Sequence, residues 1–278
     1  MANKKVLILG ARGMLGQALG REFSSYQPVC WDKSDLDITD KERVEEKLLQ
    51  LRPEIIINAA AYTDVDAAET NEDLAILING LAVGYLAKAA KDIGAVLIHY
   101  STDYVFDGKK KAGYSEDDKP NPINAYGRSK LRGEQELVKN TDKYYLIRSS
   151  WLFGPGGKNF VDTILTLAGK QDTIKVVNDQ HGKPTYTLDL AKATRGLLES
   201  QKPFGIYHIT NETTKGGITW YEFAKKIIEL KGLKTQVVPC ATKDFSRPAQ
   251  RPEYAELINN QLDPARFLNE ALVDYLSQ

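Results

Sequence analysis

The chain has 278 residues, 42% hydrophobic and 27% charged, with 37 Lys and Arg against 37 Asp and Glu. That is the make-up of a globular protein with a sizeable core, in one large domain or a main domain with a smaller partner. A formal net charge of zero excludes the bulk basic surface that would hold nucleic acid or an anionic membrane.

Val6-Leu7-Ile8-Leu9 reads as a buried parallel strand, too short for a signal core. Nothing approaches a transmembrane span. Gly10-Ala11-Arg12-Gly13-Met14-Leu15-Gly16 follows at once, and helical spacing continues through Leu19 and Phe23. A strand, a glycine turn and a helix start make a nucleotide cradle. Gly10 permits the tight turn, Gly13 lets a pyrophosphate approach the backbone, and Gly16 lets the helix pack closely on the strand. The first helical N–H groups, at Met14 and Leu15, are then free for phosphates. The spacing is Gly-x-x-Gly-x-x-Gly, not the Gly-x-Gly-x-x-Gly of many dehydrogenases.

Pro28–Trp31 reads as the second strand. It ends at Asp32, in the window where an acid meets the adenosine ribose 2′-hydroxyl. That favours NAD. Arg12 and Lys33 could each reach a 2′-phosphate, so NADH and NADPH both stay open. Cys30 and Cys240 form no disulfide framework and no metal-ligand spacing. No metal is expected, and a reducing cytoplasm is the natural compartment. Thr39 or Asp40 caps a helix carrying Val44, Leu48 and Leu51. Glu54–Asn58 is the next strand, and the small residues Ala59-Ala60-Ala61 at its carboxyl end leave room for a cofactor. Asp64, Asp66 and Glu69 open another helix, and a long one follows from about Ala75 to Ile93. Ala95–Tyr100 is again a buried strand. Ser101-Thr102-Asp103-Tyr104 lies at its carboxyl end, the rim where open parallel sheets place their chemistry.

A polar loop from Asp107 to Asn124 leads to a helix starting near Ala125. Tyr126 and Lys130 are four apart on it and so share a face. A phenol titrates near ~10, and a fixed ammonium beside it lowers that value, making a usable proton donor. The Thr102 hydroxyl could hold the reacting oxygen. A second pair, Tyr221 and Lys225, lies on a helix whose buried stripe is Trp220, Phe223, Ile227 and Ile228. No strand-end hydroxyl is in register with it, so Tyr126 and Lys130 are the chemical pair. Beyond Trp151 the alternation weakens. Segments near 174–177 and 205–210 read as strands returning to the main sheet. His99 reads as a core residue. The expected fold is α/β: a Rossmann-like doubly wound parallel sheet over 1–150 that binds NAD(P), with 151–278 mainly a small substrate-binding part.

Gly10, Gly13 and Gly16, Asn58-Ala59-Ala60, Thr102, Tyr126 and Lys130 together resemble the extended short-chain dehydrogenase/reductase superfamily, over the whole chain. Within it the sequence is most similar to the dTDP-4-dehydrorhamnose reductases. The closer match rests on Ser101-Thr102-Asp103-Tyr104-Val105-Phe106-Asp107-Gly108, on Arg148–Gly154, on Asp179–Thr185 and on Arg247-Pro248-Ala249-Gln250-Arg251-Pro252. The resemblance implies a hydride passed from NADH or NADPH to C4 of a dTDP-linked 4-keto-6-deoxyhexose, giving dTDP-rhamnose. It implies Tyr126 as general acid, Lys130 as the group that tunes it and holds the nicotinamide ribose, and Thr102 on the ketone oxygen. Asp37, Ile38, Ala61, Tyr62 and Thr63 would touch the cofactor. Asp103, Tyr104 and Trp151 would line the sugar pocket, with core packing as the alternative for Trp151. By their residue types Asn159 and Arg247, with Lys158 and Arg251, could meet a diphosphate, with solvated surface arginines as the alternative.

Two departures bear on the chemistry. Sugar-nucleotide 4,6-dehydratases read Thr-Asp-Glu at this rim, because abstracting the C5 proton needs a carboxylate. Tyr104 stands there instead, which disfavours dehydration. The branch commonly has Ser where Ala255 follows Arg251-Pro252-Glu253-Tyr254. Three alternatives stay open: another nucleotide-sugar reductase, a 4-epimerase of the same superfamily, and a non-catalytic regulatory subunit like that of methionine adenosyltransferase. The implied partner is a dTDP-sugar, with no nucleic acid and no membrane, and a homodimer is left open.

Overall fold

In the computed structural model, which describes residues 4–213 and 216–278, six parallel strands form the central sheet. β1 (Val6–Leu9), β2 (Val29–Trp31), β3 (Ile55–Asn58), β4 (Val96–Thr102) and β5 (Tyr144–Ser149) lie in the order 2-1-3-4-5, and Gly205–His208 extends the sheet beyond β5. From β1 the chain goes one way to β2 and returns on the other side as β3. That reversal opens a crevice at the strands' carboxyl ends.

Both faces of the sheet are covered, and this is why its strands are apolar throughout. Val6, Ile8, Ile57 and Ile98 point into one core layer, under α1 (Met14–Glu22) and a later helix, Thr187–Glu199. Leu7, Leu9, Ile56 and Leu97 point into the other. There α2 (Lys41–Leu51) packs on a long helical run made of α4 (Glu72–Ile76), a one-turn π segment (Leu77–Leu81) and α5 (Ala82–Ile93). The short α3 (Val65–Ala68) precedes that run, and α6 (Ala125–Asn140) packs beside it. Val44 and Leu48, one turn apart on α2, are fully buried. Burial of each such side chain contributes about 1.5–3 kcal/mol. Among the described residues, Glu72–Ile93 is the one helical run long and apolar enough to cross a membrane. Its Val83, Leu86, Ala87 and Ala90 are wholly buried under the sheet.

The later half carries its own core, built from Phe153, Val161, Ile164, Ile174, Val176, Phe223, Ile227 and Leu272. α7 (Phe160–Ala168) and the helix Trp220–Leu230 contribute to it. One expectation fails here. Thr173–Val177 does not return to the main sheet but pairs in parallel with Gln236–Cys240. The reason is legible in its burial: Ile174 and Val176 are buried while Thr173 and Lys175 are exposed. A strand with one wet face cannot enter a sheet covered on both sides. Gly205–His208 does pair with β5, in register Tyr207 to Ile147.

Candidate active site

The glycine turn builds the crevice. Gly10 sits at φ +70°, and a Cβ there would lie 2.7 Å from the Ala60 nitrogen. At Gly16 it would lie 2.1 Å from the Gly10 carbonyl oxygen. Both positions therefore exclude a side chain. Gly13 is the N-cap of α1 and supplies no side-chain cap, whereas Asp40, Asn124 and Asn159 cap α2, α6 and α7. No capping side chain thus occupies the N–H groups of Met14, Leu15 and Gly16. The Leu15 side chain itself sinks into the core. A crevice of about 260 Å³ beside the turn is lined by Gly10, Gly13, Asp32, Asp37, Ile38 and Ala61. Arg12 Nε lies 3.7 Å from Asp32 Oδ2, and Lys33 Nζ lies 3.6 Å from Asp37 Oδ2. Asp37 accepts from the Thr39 hydroxyl at 2.7 Å, which holds its carboxyl below the usual range. An uncapped helix start, a side-chain-free turn and a carboxylate at the end of β2 fit a dinucleotide. Among the described residues no group of three or more His, Cys, Asp or Glu could hold a metal ion.

Ala61 and Thr63 are exposed at the end of β3, with Tyr62 half-buried between them. The buried Asn79 amide accepts from the Tyr62 N–H at 2.8 Å and donates to the Tyr62 carbonyl at 2.9 Å. It also donates to Ser129 Oγ at 3.0 Å, and Ser129 donates to the Tyr126 carbonyl at 2.7 Å. Asn79 thereby ties the crevice loop to α6. Its π-turn setting is a local clue, but no spacing rule in the sequence points from it to Tyr62.

The start of α6 is held twice. Asn124 accepts from the Gly127 N–H at 2.7 Å, and Glu69 accepts from the Ala125 N–H at 2.8 Å. A Cβ on Gly127 would meet the Tyr104 carbonyl oxygen at 2.1 Å, so glycine after Tyr126 lets the helix close onto the β4 rim. There the Thr102 hydroxyl lies beside the Tyr126 phenol. Thr102 donates to Asp103 Oδ1 at 2.9 Å. The Tyr104 ring meets the Tyr126 ring edge to face, with centroids 5.8 Å apart.

The electrostatics correct one expectation. Lys130 does share the face of Tyr126, but its Nζ donates to the Tyr100 carbonyl at 2.6 Å. Burial lowers the Lys130 ammonium to about 8. Tyr126 is not made more acidic. Desolvation of its phenol end comes first and the Asp103 carboxyl second, and both raise its pKa; the neighbouring Thr102 hydroxyl opposes them. The phenol therefore stays protonated, as a proton donor must. Burial pushes Asp103 up to about 7, and its Oδ2 is buried without a hydrogen-bond partner. His99 is buried and held neutral by burial and by Lys130, with Nδ1 facing the Asn58 amide at 3.2 Å.

With this geometry in place, a family profile described as RmlD substrate binding domain matches residues 4–271. The chain belongs to the RmlD substrate-binding domain family. It is 40% identical to the spore coat polysaccharide biosynthesis protein SpsK of Bacillus subtilis, over 99% of this chain and 97% of that protein. It is 38% identical to a dTDP-4-dehydrorhamnose reductase of Streptomyces griseus, over 96% of this chain and 91% of the relative. A solved dTDP-4-dehydrorhamnose reductase from Bacillus anthracis, in complex with NADP, superposes with a TM-score of 0.95 at 39% identity, covering 99% of both chains.

In this RmlD-family chain a cavity of about 710 Å³ adjoins the rim, lined by Tyr104, Phe160, Val176, Trp220, Arg247 and Arg251 among others. It shares Phe245, Arg247 and Arg251 with a second cleft of about 700 Å³. Arg247 is largely exposed and lies 3.5 Å from Asp66. Arg251 is nearly buried, donates from Nη2 to Asp66 Oδ2 at 2.8 Å, and lies close enough to Tyr104 to oppose the burial that raises the Tyr104 phenol. Two residues that the sequence assigned to the substrate site are not in the lining of this cavity. Asn159 does not line the cavity: its amide caps α7 and donates to Gly154 O, Asp162 Oδ2 and the Tyr275 hydroxyl. Trp151 stacks flat on Trp220 with centroids 3.6 Å apart, and Trp220 is the ring that faces the cavity. Reading Trp220 as part of a buried stripe hid this, because the stripe's N-terminal end emerges at the cavity wall. The second tyrosine–lysine pair is a surface contact, with Lys225 Nζ 5.7 Å from the Tyr221 ring centre.

Proposed function

We propose that the chain reduces dTDP-4-dehydro-L-rhamnose to dTDP-L-rhamnose with NADH or NADPH. The observation that carries this reading is the gathering of Tyr126, Thr102 and Tyr104 at the β4 rim, with Tyr104 on the wall of the Arg-lined cavity. The names of the relatives supply the substrate class.

A bound reduced nicotinamide supplies the hydride. Gly13 and the N–H groups of Met14, Leu15 and Gly16 hold the pyrophosphate, and Asp32 with Arg12 sorts the adenosine ribose. Asp37, Ile38, Ala61, Tyr62 and Thr63 bound the rest of the cofactor site. The Thr102 hydroxyl orients the ketone oxygen, and Tyr126 gives that oxygen a proton as negative charge develops on it. Lys130, anchored on the Tyr100 carbonyl, would supply positive charge to the nicotinamide ribose. Asp103 and Tyr104 border the sugar, and Arg247 meets the diphosphate. Trp220, backed by Trp151, offers a flat surface to the base. A neutral Tyr126 suits donation to an alkoxide, which favours the reductase over an epimerase whose tyrosine must also accept a proton. Two free cysteines, one exposed and one half-buried, accord with a reducing cytoplasm.

The test is loss of nicotinamide absorbance on adding the keto-sugar nucleotide to purified protein. Tyr126→Phe should lower kcat by about 10²–10⁴ with cofactor affinity kept, the range for a removed general acid. Retention of most turnover in that variant would remove Tyr126 from the mechanism.

A further inference from the structure

The glycine turn is held from far along the chain as well as from within. The peptide between Arg12 and Gly13 is fixed at both ends. Its N–H, at Gly13, donates to the Gly10 carbonyl at 3.0 Å, and its carbonyl, at Arg12, accepts from Gln17 Nε2 at 2.8 Å. The same Gln17 nitrogen donates to the Gly156 carbonyl at 3.0 Å, across 139 positions. An amide nitrogen carries two protons, so one side chain supplies both bonds. Gly156 belongs to the loop 154–158, between the strand Leu152–Phe153 and α7.

That loop is built for close approach to α1. Gly156 sits at φ +85°, and a Cβ there would lie 2.5 Å from Gln17 Oε1. A Cβ on Gly157 would lie 2.8 Å from Met14 Cβ. Two successive glycines thus lay backbone directly on the first turns of α1. On its other side the loop is fastened to the later half of the chain. Asn159 Nδ2 donates to the Gly154 carbonyl at 3.1 Å and to the Tyr275 hydroxyl at 3.0 Å. One loop therefore joins the turn proposed for the pyrophosphate to the later half, and Gln17 is its link on the turn side.

We infer that Gln17 is a positioning residue for the dinucleotide. By holding the Arg12–Gly13 peptide and the loop 154–158 together, it makes that loop the outer wall of the pyrophosphate cradle. The inference rests on the cofactor site of the reading above and deepens it. Gln17 takes no part in hydride or proton transfer; it acts on binding, through two backbone segments that border the phosphates. Gly156 is exposed and Gln17 half-buried, so water can satisfy both carbonyls when the amide is gone. The fold then survives while the wall loosens.

Gln17→Met keeps the length of the side chain and removes both donors. Fluorescence titration should show the NADPH Kd raised about tenfold, the lower part of what two net hydrogen bonds are worth. The KM for NADPH should rise alike with kcat unchanged, the mark of a residue that serves binding. Hydrogen–deuterium exchange gives a readout that needs no sugar. In the parent, NADPH should slow exchange across 154–158, outside the half that carries the glycine turn, and in Gln17→Met that protection should be lost. A melt that shifts while the NADPH Kd and the loop protection keep their parent values makes Gln17 a structural tie and overturns the inference. A fall in kcat at unchanged NADPH affinity overturns it too. Gly156→Ala attacks the same contact from the loop's side, because its Cβ would meet Gln17 Oε1. It should raise the NADPH Kd in the same way, and it decides the matter if Gln17→Met does not fold. A parent that binds neither NADPH nor NADH sinks the cofactor reading and this inference together. A parent that binds NADPH, with Kd unchanged in the folded variants, sinks the inference alone.

Discussion

Gly13→Ala separates a phosphate cradle from mere turn chemistry, because its effects on stability and on binding should diverge. Gly13 has φ −69° and ψ 162°, a conformation any residue adopts. Its added Cβ would meet only the Gly10 carbonyl oxygen, at 3.3 Å. A few tenths of an ångström of give relieve that contact. Losing glycine at an N-cap costs up to about 1 kcal/mol. Restricting the unfolded chain returns about 0.4–1 kcal/mol. The net change in stability should be within about 1 kcal/mol, a shift of a few degrees in Tm at most. The methyl group, however, projects into the space a pyrophosphate must enter to reach the first-turn N–H groups. Losing one or two charge-assisted hydrogen bonds at about 1.5–3 kcal/mol each should weaken NADPH binding by about tenfold to a thousandfold. The assay is cofactor fluorescence titration beside a thermal melt. Gly10→Ala and Gly16→Ala cannot serve, since both meet backbone atoms below 3 Å and would unfold the turn itself. An unchanged NADPH Kd in a well-folded Gly13→Ala protein would refute the cradle and place the phosphates elsewhere.

Arg12→Ala removes an exposed cation 3.7 Å from Asp32. It should weaken NADPH by about tenfold, one lost ionic hydrogen bond, and leave NADH nearly unchanged in parallel titrations. Equal loss for both cofactors would mean that Arg12 does not read the 2′-phosphate. Asn159→Ala strips the α7 cap and its side-chain partners. It should cost about 1–3 kcal/mol of stability in a denaturant melt, with the sugar-nucleotide KM little changed. A raised KM at unchanged stability would restore Asn159 to the substrate site. Trp220→Ala should raise the KM for the sugar nucleotide several-fold by removing a stacking face, and an unchanged KM would take the base away from that wall.

Local information carried most of the site. The run Val6–Gly16 contains a buried strand, a turn that tolerates no Cβ at two of its glycines, and an uncapped helix start, and each follows from residues a few positions apart. The rim at Ser101–Tyr104 was readable for the same reason, because a continuous apolar strand dictates where its carboxyl end must lie. The missing parts depend on partners far along the chain. Arg251 reaches Asp66 across 185 positions, and Asn79 meets Tyr62 through both ends of one amide. Neither pairing has a period or a motif. Thr173–Val177 shows the intermediate case: its alternating burial was written in the sequence, but only the wet face of the folded strand decides which sheet can accept it.

The expected lowering of the Tyr126 pKa by Lys130 fails for a different reason. Spacing of four places two side chains on one helix face, but it does not fix where a four-carbon stem ends. Lys130 spends its ammonium on the Tyr100 carbonyl, which satisfies the buried charge locally. The phenol of Tyr126 then answers to desolvation and to Asp103, and both favour its neutral form. A depressed phenol would already have lost part of its proton before a ketone arrived. A raised one keeps that proton until the ketone oxygen acquires negative charge, and the developing alkoxide is then basic enough to take it. The environment that contradicts the spacing rule is therefore the one that a proton donor at neutral pH requires.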